Sequence, residues 1–530
     1  MPLTMDSISR RVLLSAGLGA GILVSLPRAA APGISTAEDA AIRGDPFMLG
    51  IASGEPWSDG FVLWTRLALD PLTEDGLGGM PSRSIPVAWE VAEDAAMGTV
   101  VARGLEYAHV ENAHVENAHS VHVELRGLKP GREYFYRFRC GRHISPTGRT
   151  LTSPARHETP AALAMAFASC ANYEQGYFTA YARLAQDHPD LVLHLGDYLY
   201  EHRSGTDVRE DARSRDVLET VTLEGYRQRH AQYKSDADLQ AAHAIAPWLV
   251  VWDDHEVDNN YADDVPESRN PAEMNDTAAR FRVRRAAAFK AYYENMPLRA
   301  SSVPAGAAMK IYRMIQWGQL ANFYMMDTRQ YRDDQVSGGE RLDKNRTITG
   351  TRQEMWLLEG FRNSTQRWEI LGQQVFFAER DRNEAASIDD VSTDGWDGYA
   401  ASRRRITQGW VDAKVRNAVV LTGDAHRHWA NELKIDFKDP ASPVVGSELV
   451  STSVTSGGNG SGDPFHPIMA WNPHLRFFNN QRGYVNTRIT KDFLRADFRV
   501  LDFVSLPGSP VSTKASFQIN DTVPRLEPRA

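Results

Sequence analysis

The chain has 530 residues, of which 42% are hydrophobic and 24% are charged, as is typical of a soluble globular protein. This composition excludes a disordered, collagen-like or coiled-coil chain, and the length predicts about two to four domains. Asp and Glu outnumber Lys and Arg by 68 to 59, so the formal net charge is −9 and we expect no nucleic-acid-specific binding. The 2 cysteines are too few for a disulfide framework.

Residues 1–31 have the pattern of a twin-arginine signal peptide. Arg10 and Arg11 are adjacent and precede an apolar run, residues 12–26, which at about 15 residues is too short to span a bilayer. Alanines at positions 29–31 provide small residues for cleavage. The pattern predicts recognition by the twin-arginine export machinery and a periplasmic or secreted protein. A buried N-terminal helix is the alternative.

Residues 45–152 predict an N-terminal β-domain. Residues 60–67 and 85–91 partly alternate between apolar and polar side chains, as half-buried strands do. Tyr134 follows a Pro-Gly turn closely, which is similar to the tyrosine corner of immunoglobulin-like domains. We therefore expect an Ig/fibronectin-III-like β-sandwich in this part of the chain.

From about residue 160 the pattern changes, and we expect a second, larger domain over residues 160–520. Short apolar runs with few charges predict strands that are buried on both faces: 164–168, 191–195, 248–252 and 418–421. Helical patterns lie between them, at residues 176–186, 223–233, 278–294 and 353–362. This order predicts a layered α/β domain with mixed β-sheets flanked by helices. The acidic segment 254–276 predicts a long loop near the site.

Polar side chains follow the predicted strands at the point where each strand ends. Cys170, Asp197, Asp254 and Asp424 occupy such positions, and Gln373 follows a fifth apolar run. In layered α/β folds, ligands bind beyond the carboxyl ends of the strands. Sulfur and oxygen donors at one crevice, together with the nitrogen donor His426 two residues after Asp424, predict a metal cluster. An Asp after a single strand is more often a turn or a helix cap, so the prediction depends on the convergence of all five.

Several short motifs carry a family resemblance and occur along nearly the whole chain after the signal. They are Gly50-Ile51-Ala52-Ser53-Gly54-Glu55-Pro56, Leu63-Trp64-Thr65-Arg66, Ala168-Ser169-Cys170, Gly196-Asp197-Tyr198-Leu199-Tyr200-Glu201, Trp252-Asp253-Asp254-His255-Glu256-Val257 with Asn259-Asn260, Asp327-Thr328-Arg329-Gln330-Tyr331-Arg332, Gly423-Asp424-Ala425-His426 and Ser451-Thr452-Ser453. The set resembles the alkaline phosphatase D family, also called phosphodiesterase/alkaline phosphatase D. This family consists of metallophosphoesterases related in motif to purple acid phosphatases.

The resemblance implies a centre that contains Fe³⁺ and Ca²⁺. Matched position by position, the iron ligands would be Cys170, Asp197, Tyr200 and His426. Asp197 would bridge to the calcium ion, whose other ligands would be Asp254, Asp424 and Gln373. Thiolate and phenolate donors suit Fe³⁺, whereas an all-oxygen shell suits Ca²⁺. A disulfide between Cys140 and Cys170 is a less favoured alternative, because Cys170 occupies a motif position.

The resemblance also implies a hydrolase that acts on phosphate monoesters and diesters through a metal-activated hydroxide. His255 follows Asp254 directly and is expected to position the phosphate or protonate the leaving group. Arg329 and Arg332 are candidate phosphate clamps, with salt bridges to the acidic loop as the equal alternative. The substrates would be small phosphate esters or phospholipid and teichoic-type phosphodiesters. The alternatives are a phospholipase D-type enzyme and a non-catalytic phosphate-binding protein.

Overall fold

A computed structural model describes residues 42–110, 118–202, 208–209, 219–385 and 390–529. The predicted signal, residues 1–31, lies outside these ranges. The strands of the described part are β1 (Ile51–Trp57), β2 (Gly60–Arg66), β3 (Ile85–Ala92), β4 (Val100–Ala108), β5 (Ser120–Glu124), β6 (Glu133–Cys140), β7 (His143–Ile144), β8 (Gly148–Leu151), β9 (Leu163–Ala171), β10 (Leu191–Leu195), β11 (Pro247–Val251), β12 (Arg313–Trp317), β13 (Ala321–Met325), β14 (Trp368–Gly372), β15 (Ala418–Thr422), β16 (His428–Lys434), β17 (Val444–Val450), β18 (Ser453–Thr455), β19 (Leu475–Asn479), β20 (Gly483–Ile489), β21 (Phe493–Leu501), β22 (Val511–Asn520) and β23 (Val523–Arg529).

Helices separate the central strands, close to where the sequence predicts them. They are α1 (Thr179–Gln186), α2 (Leu223–Lys234), α3 (Ala237–Ile245), α4 (Ala278–Asn295), α5 (Gly350–Asn363) and α6 (Ala400–Asp412). Thr222, Asp236 and Thr277 cap α2, α3 and α4 by accepting hydrogen bonds from backbone N–H groups of the first turn. The helices α3 and α6 are both absent from the sequence prediction, and the nine residues of α3 show little of the helical apolar period on which that prediction depends.

Two large sheets form the centre of the molecule. The first has the order β23-β22-β21-β20-β9-β10-β11-β1-β2-β5, with β18 also paired to β9. The second has the order β12-β13-β14-β15-β17-β16-β19. Parallel pairs join β9 to β10 to β11 in one sheet and β13 to β14 to β15 in the other. Apart from the half-buried Ala164 of β9, these strands are buried along their whole length, which explains their largely apolar sequences.

The two sheets pack face to face, and the helices cover them. Leu193 of the first sheet and Val419 of the second belong to one core, together with residues of α1 to α4 such as Tyr181. A second core joins Val420 to Phe361 of α5 and to residues of α6. The chain therefore has the predicted layered α/β architecture, with mixed sheets between helices.

The N-terminal strands are continuous with the first large sheet. Strand β1 pairs in parallel with β11, with Ser53 opposite Pro247, and β2 and β5 follow it outward. The remaining strands, β3, β4, β6, β7 and β8, form a separate five-stranded sheet. Phe61 of β2 and Tyr136 of β6 share one hydrophobic core, so the two sheets pack on each other. The hydroxyl of Tyr134 accepts a hydrogen bond from the backbone N–H of Lys129 at 3.0 Å.

Both cysteines, Cys140 and Cys170, are buried free thiols. Among the helices that the structure describes, none has the length and apolar character needed to cross a membrane.

Candidate metal centre

Four strands bring the predicted ligands to one edge of the two sheets. Cys170 is the penultimate residue of β9, and Asp197 and Asp424 each lie two residues beyond the ends of β10 and β15. Asp254 lies three residues beyond β11. Because β9, β10 and β11 are parallel neighbours, their carboxyl ends meet at the same edge.

Two glycines allow the loops that carry these ligands to approach each other. A Cβ atom on Gly196, which has a φ of +103°, would lie 2.5 Å from Cβ of Asp253. A Cβ atom on Gly423 would lie 2.8 Å from Cβ of Ser169. Any side chain at these positions would force the loops apart. The glycine of each Gly-Asp pair is therefore required by the close packing beside its aspartate.

Four of the predicted ligands have a left-handed backbone conformation. The φ angles are +59° at Cys170, +52° at Asp197, +55° at Asp424 and +53° at His426. This conformation costs roughly 1–2 kcal/mol for each residue that has a Cβ atom. Such strain persists only where the surrounding structure fixes it, and it is concentrated at functional sites.

The buried carboxylate of Glu256 fixes the loop after β10. It accepts hydrogen bonds from the backbone N–H groups of Asp197 at 3.2 Å and Tyr198 at 2.7 Å. The same carboxylate accepts from the backbone N–H of Asp253 at 2.9 Å. Glu256 thus ties the loops after β10 and β11 together directly beneath the site.

The four predicted iron ligands converge. Cys170, Asp197 and His426 each place a donor atom within 4.8 Å of the others. The Tyr200 hydroxyl lies 3.3 Å from Oδ2 of Asp197 and 3.0 Å from Nε2 of His426. One thiol, one carboxylate, one phenol and one imidazole therefore surround a single point. Their positions along the chain span almost half of its length, so the cluster forms only when the chain folds.

A second group of donors adjoins the first and shares Asp197 with it. Asp197, Asp254 and His255 bring their donor atoms within 4.8 Å of one another. Burial and the charge of Asp394 raise the pKa of Asp424 to about 6, and the charge of Asp254 acts in the same direction. Asp424 belongs to neither donor group, although the preceding Gly423 packs against Ser169, the neighbour of Cys170.

The protein environment of this cluster fits a cation. Oδ1 of Asp197 is buried and has no hydrogen-bond partner among the described residues. Burial raises the pKa values of Cys170, Asp197 and Tyr200 well above their usual range, and Asp197 adds to the effect on the other two. Buried acidic groups without a compensating charge are costly, and metal coordination supplies that charge. Sulfur and phenolic donors together suit a transition metal.

The imidazole of His255 is held between an acid and an aromatic ring. Its Nδ1 lies 2.8 Å from Oε2 of Glu201, and its ring centroid lies 4.1 Å from that of Tyr200. Although burial lowers the pKa of His255, the charges of Glu201 and Asp254 outweigh it and raise that pKa well above its usual value. The structure therefore holds an oriented imidazole, paired with a buried carboxylate, beside the cluster.

Arg329 is fully buried and bound to carboxylates. Its Nε lies 2.6 Å from Oδ1 of Asp253, and its Nη1 and Nη2 lie 2.8 and 3.0 Å from the two oxygens of Asp394. Its Nη2 also lies 3.3 Å from Oδ2 of Asp254. Arg332 joins the same network through Nη1, at 3.2 Å from Oδ1 of Asp394. Arg329 thus contacts the acidic loop through Asp254, whereas Asp394, which both arginines bind, lies outside that loop. These contacts favour a positioning role for Arg329, and the phosphate-clamp role of the two arginines stays a prediction.

Gln373 is occupied by hydrogen bonds within the protein. Its Nε2 donates to the carbonyl of Val375 at 2.7 Å and to Oγ1 of Thr422 at 2.6 Å, while its Oε1 accepts from the Trp396 indole at 2.9 Å. These contacts do not support the ligand role of Gln373, which stays a prediction.

Asn172 caps a short helical turn by accepting from the backbone N–H of Glu174 at 3.1 Å.

Sequence reasoning assigned no role to three residues that support the site. Glu201 and Glu256 both lie inside quoted motifs, so their position next to predicted ligands was the available signal. Asp394 lies outside every motif and reaches Arg329 across 65 positions of sequence. Only the folded chain brings that pair together.

The fold and the buried sulfur, oxygen and nitrogen donors at its strand ends define a metal-dependent hydrolase. Family models match residues 165–498 as PhoD-like phosphatase and residues 33–154 as PhoD-like phosphatase, N-terminal domain. The chain belongs to the PhoD-like phosphatase family. The chain is 46% identical over 520 residues to alkaline phosphatase D of Bacillus subtilis (strain 168). The matched region covers 96% of this chain and 87% of that protein. The solved structure of PhoD matches with a TM-score of 0.86 and 45% identity, over 92% of this chain and 93% of the other.

Proposed function

We propose that this phosphatase hydrolyses both phosphate monoesters and phosphodiesters at the cluster around Asp197. The observation that carries the proposal is the convergence of two donor groups that share the Asp197 carboxylate. A shared carboxylate between two cation positions is the arrangement that clamps the attacking and leaving oxygens of a displacement at phosphorus.

The donor set supports Fe³⁺ in one position and Ca²⁺ in the other. Cys170, Tyr200 and His426 would hold the iron with Asp197, because thiolate and phenolate donors favour a ferric ion. Asp254 and Asp424 would hold the calcium, since only carboxylate oxygens are offered there besides the His255 ring. When bound, such ions supply Lewis acidity toward water and toward the phosphoryl oxygens.

The residues of the chain supply proton transfer and orientation. Because the Glu201 carboxylate can only accept, Nδ1 of His255 carries the proton between them and Nε2 is left for the substrate. In this position the imidazolium can donate a proton to the leaving-group oxygen. Arg329 holds Asp254 and Asp253 in place from behind the cluster.

The test is hydrolysis of p-nitrophenyl phosphate and of bis-p-nitrophenyl phosphate by the purified, metal-loaded protein. We expect turnover of both substrates, loss of turnover with a calcium chelator, and iron retained after that treatment. Phosphatidylcholine, tested in parallel, distinguishes a phospholipase D-type enzyme. Binding of phosphate without hydrolysis of any of the three would contradict the proposal, and two zinc ions without iron would contradict the metal assignment.

Three predictions from the sequence are kept as proposals. Residues 1–31 would direct folded protein to the twin-arginine export machinery, supported by Arg10 and Arg11 before a short apolar run. The N-terminal region, predicted over residues 45–152, would be an Ig/fibronectin-III-like sandwich. The contact of the Tyr134 hydroxyl with the backbone upstream supports it. The catalytic domain is proposed to follow over residues 160–520.

A further inference from the structure

The backbone carbonyl of His426 is held by two buried side chains that have no role in the proposed function. Oγ1 of Thr452 donates a hydrogen bond to this carbonyl oxygen at 3.1 Å, and Nη1 of Arg482 donates to it at 3.0 Å. Both side chains are almost completely buried. Thr452 is the central residue of the Ser451-Thr452-Ser453 motif, whereas Arg482 lies outside every motif named above.

The backbone conformation of His426 makes its carbonyl a group that must be held. With a φ of +53°, His426 is in the left-handed region. A residue with a Cβ atom keeps this conformation only where its surroundings fix it. The backbone conformation also sets the direction of the Cα–Cβ bond, and thereby the position of the imidazole. Nε2 of that imidazole lies 3.0 Å from the hydroxyl of Tyr200, among the proposed iron ligands.

Thr452 is itself held in place by the segments around it. Its backbone N–H donates to Nδ1 of His428 at 3.1 Å. The next residue, Ser453, begins β18 and pairs with Ser169 of β9, which directly precedes Cys170. The motif therefore contacts the segment that carries one proposed iron ligand and adjoins the segment that carries another.

Arg482 uses its whole guanidinium group for backbone carbonyls. Besides the bond to His426, its Nη2 donates to the carbonyl of Gly457 at 2.9 Å and its Nε to that of Gly458 at 3.0 Å. Burial lowers the pKa of Arg482 to about 10, so the group keeps its charge at neutral pH. Hydrogen bonds from a charged donor are strong, and a planar guanidinium reaches acceptors in several directions at once. Arg482 therefore ties His426 to the exposed glycine-rich loop, residues 456–462, that follows β18.

Neither side chain is suited to bind a metal ion itself. A guanidinium has no acceptor atom, and the Thr452 hydroxyl directs its proton to the carbonyl of His426. Groups that hold a metal ligand from behind fix its orientation, and losing one typically costs about 10–100-fold in metal affinity or activity.

We propose that Thr452 and Arg482 are positioning residues for His426, which keep its imidazole in place for the metal by holding its backbone carbonyl. The inference rests on the proposed function, because it takes His426 as a metal ligand. It gives a role to the Ser-Thr-Ser motif and to an arginine that sequence reasoning did not single out.

The first test separates the hydroxyl of Thr452 from the packing of its side chain. Thr452→Val keeps the shape and removes the hydroxyl, whereas Thr452→Ser keeps the hydroxyl. Each purified, metal-loaded protein is mixed with excess chelator, and the metal that stays bound is measured over time by elemental analysis. We expect Thr452→Val to release metal about tenfold faster than the wild type, and Thr452→Ser to release it at close to the wild-type rate.

Thr487→Val is the matched control. Oγ1 of the buried Thr487, in β20, donates to the carbonyl of Met165 at 3.1 Å, at the end of β9 remote from Cys170. Both valine variants lose one buried hydrogen bond to a carbonyl, so their melting temperatures should fall by similar amounts. Metal release should be faster in Thr452→Val alone. Equal release from the two valine variants, or no recovery in Thr452→Ser, would overturn the role of Thr452.

Arg482 is tested in the same assay. We expect Arg482→Gln to release metal at least about tenfold faster than the wild type, and Arg482→Lys to recover little of the loss, since an ammonium group cannot reproduce the three-carbonyl geometry. Arg183→Gln is the control, because Arg183 donates to the carbonyls of Gly508 and Ser509 at another loop. Circular dichroism checks that each variant is folded. Release at the wild-type rate in Arg482→Gln would overturn the role of Arg482.

The release rate is measured for whichever ion the cluster holds, so it depends neither on the assignment of iron nor on the substrate. Absence of phosphate-ester hydrolysis would contradict the proposed function alone. Unchanged metal release in both Thr452→Val and Arg482→Gln would contradict the positioning of His426 alone.

Discussion

Nδ1 of His255 lies 2.8 Å from Oε2 of Glu201, and the Glu201 side chain is almost completely buried. A buried carboxylate at this distance fixes both the tautomer and the orientation of the ring, as it does for catalytic histidines in general. A ring nitrogen of His255 also lies within 4.8 Å of carboxylate oxygens of Asp197 and Asp254. The Glu201–His255 pair therefore fixes the orientation of the proposed proton donor relative to the substrate.

The first prediction concerns His255→Ala. If the imidazole protonates the leaving oxygen, its loss should reduce kcat by about 10²–10⁴-fold for phenyl phosphate, whose leaving group needs a proton. The loss should be much smaller for p-nitrophenyl phosphate, which leaves readily as an anion. Glu201→Gln should show the same dependence on leaving group with a smaller loss. His202→Asn is the control, because His202 contacts the same carboxylate from the half-exposed side. An equal loss on both esters in His255→Ala would exclude the acid role.

The second prediction concerns Asp197→Asn, which removes the carboxylate shared by both donor groups. Loss of a residue that only supports a metal ligand costs about 10–100-fold in activity or metal affinity, so loss of the shared ligand should cost at least about 100-fold. Bound metal, measured by elemental analysis, should fall in parallel with activity. Asp502→Asn, at an exposed position, should keep both. Full metal content together with normal turnover in Asp197→Asn would contradict the assignment of the cluster.

Features that depend only on residues close together in the sequence could be predicted. The strands that end near Cys170, Asp197 and Asp424 are continuous apolar runs, so their position and the polar residue after each could be predicted. Pairing between distant segments could not be predicted. The parallel pairing of β1 with β11 joins segments almost 200 residues apart, and no local pattern encodes it.

The same distinction applies within the site. The roles of Arg329 and Gln373 depend on Asp394 and Trp396, which lie in a segment without a motif. A long polar side chain after a strand has the same sequence pattern whether it binds a ligand or supports a neighbour. Only the contacts of the side chain in the folded protein distinguish these two roles. For Arg329, those contacts favour the role of supporting a neighbouring residue.

The third prediction concerns colour. Tyr200 lies between Asp197 and His426, and a phenolate bound to Fe³⁺ gives a charge-transfer band in the visible range. The pure iron-loaded protein should therefore be coloured, and Tyr200→Phe should shift or bleach the band and weaken iron retention. Tyr198→Phe is a matched control, because the Tyr198 hydroxyl faces away and contacts Nε2 of His243 at 2.9 Å. A colourless wild type that contains stoichiometric Fe³⁺ would refute ligation by Tyr200.

The fourth prediction concerns export. Because the cluster combines residues from four strand ends, metal can be captured only after folding, and a route that carries folded protein allows iron to be loaded first. Arg10→Lys combined with Arg11→Lys should leave folded, metal-loaded and active protein inside the cell. Fractionation with activity and iron measurements in each fraction tests this. Normal export of the double variant would refute the signal assignment.

The fifth prediction concerns Glu369, a buried acid of β14. Burial raises the pKa of Glu369 to about 7 from the ordinary value of 4.5, although the Ser364 hydroxyl and the Asn322 amide donate to it. The folded state therefore keeps this proton up to a higher pH than the unfolded state does. As the pH rises from about 4.5 to about 7, Glu369 should lower the free energy of unfolding by up to about 3 kcal/mol.

In Glu369→Gln this contribution should disappear. The melting temperature of the wild type should fall more between pH 5 and pH 8 than that of the variant, and the variant should melt higher than the wild type at pH 8. Exposed Glu359→Gln, in α5, controls for the loss of one negative charge at the surface. Calorimetry at both pH values measures the difference. The same pH dependence in wild type and Glu369→Gln would show that Glu369 is ionised in the folded state at pH 5, and that Asn322 and Ser364 stabilise the carboxylate enough to offset its burial.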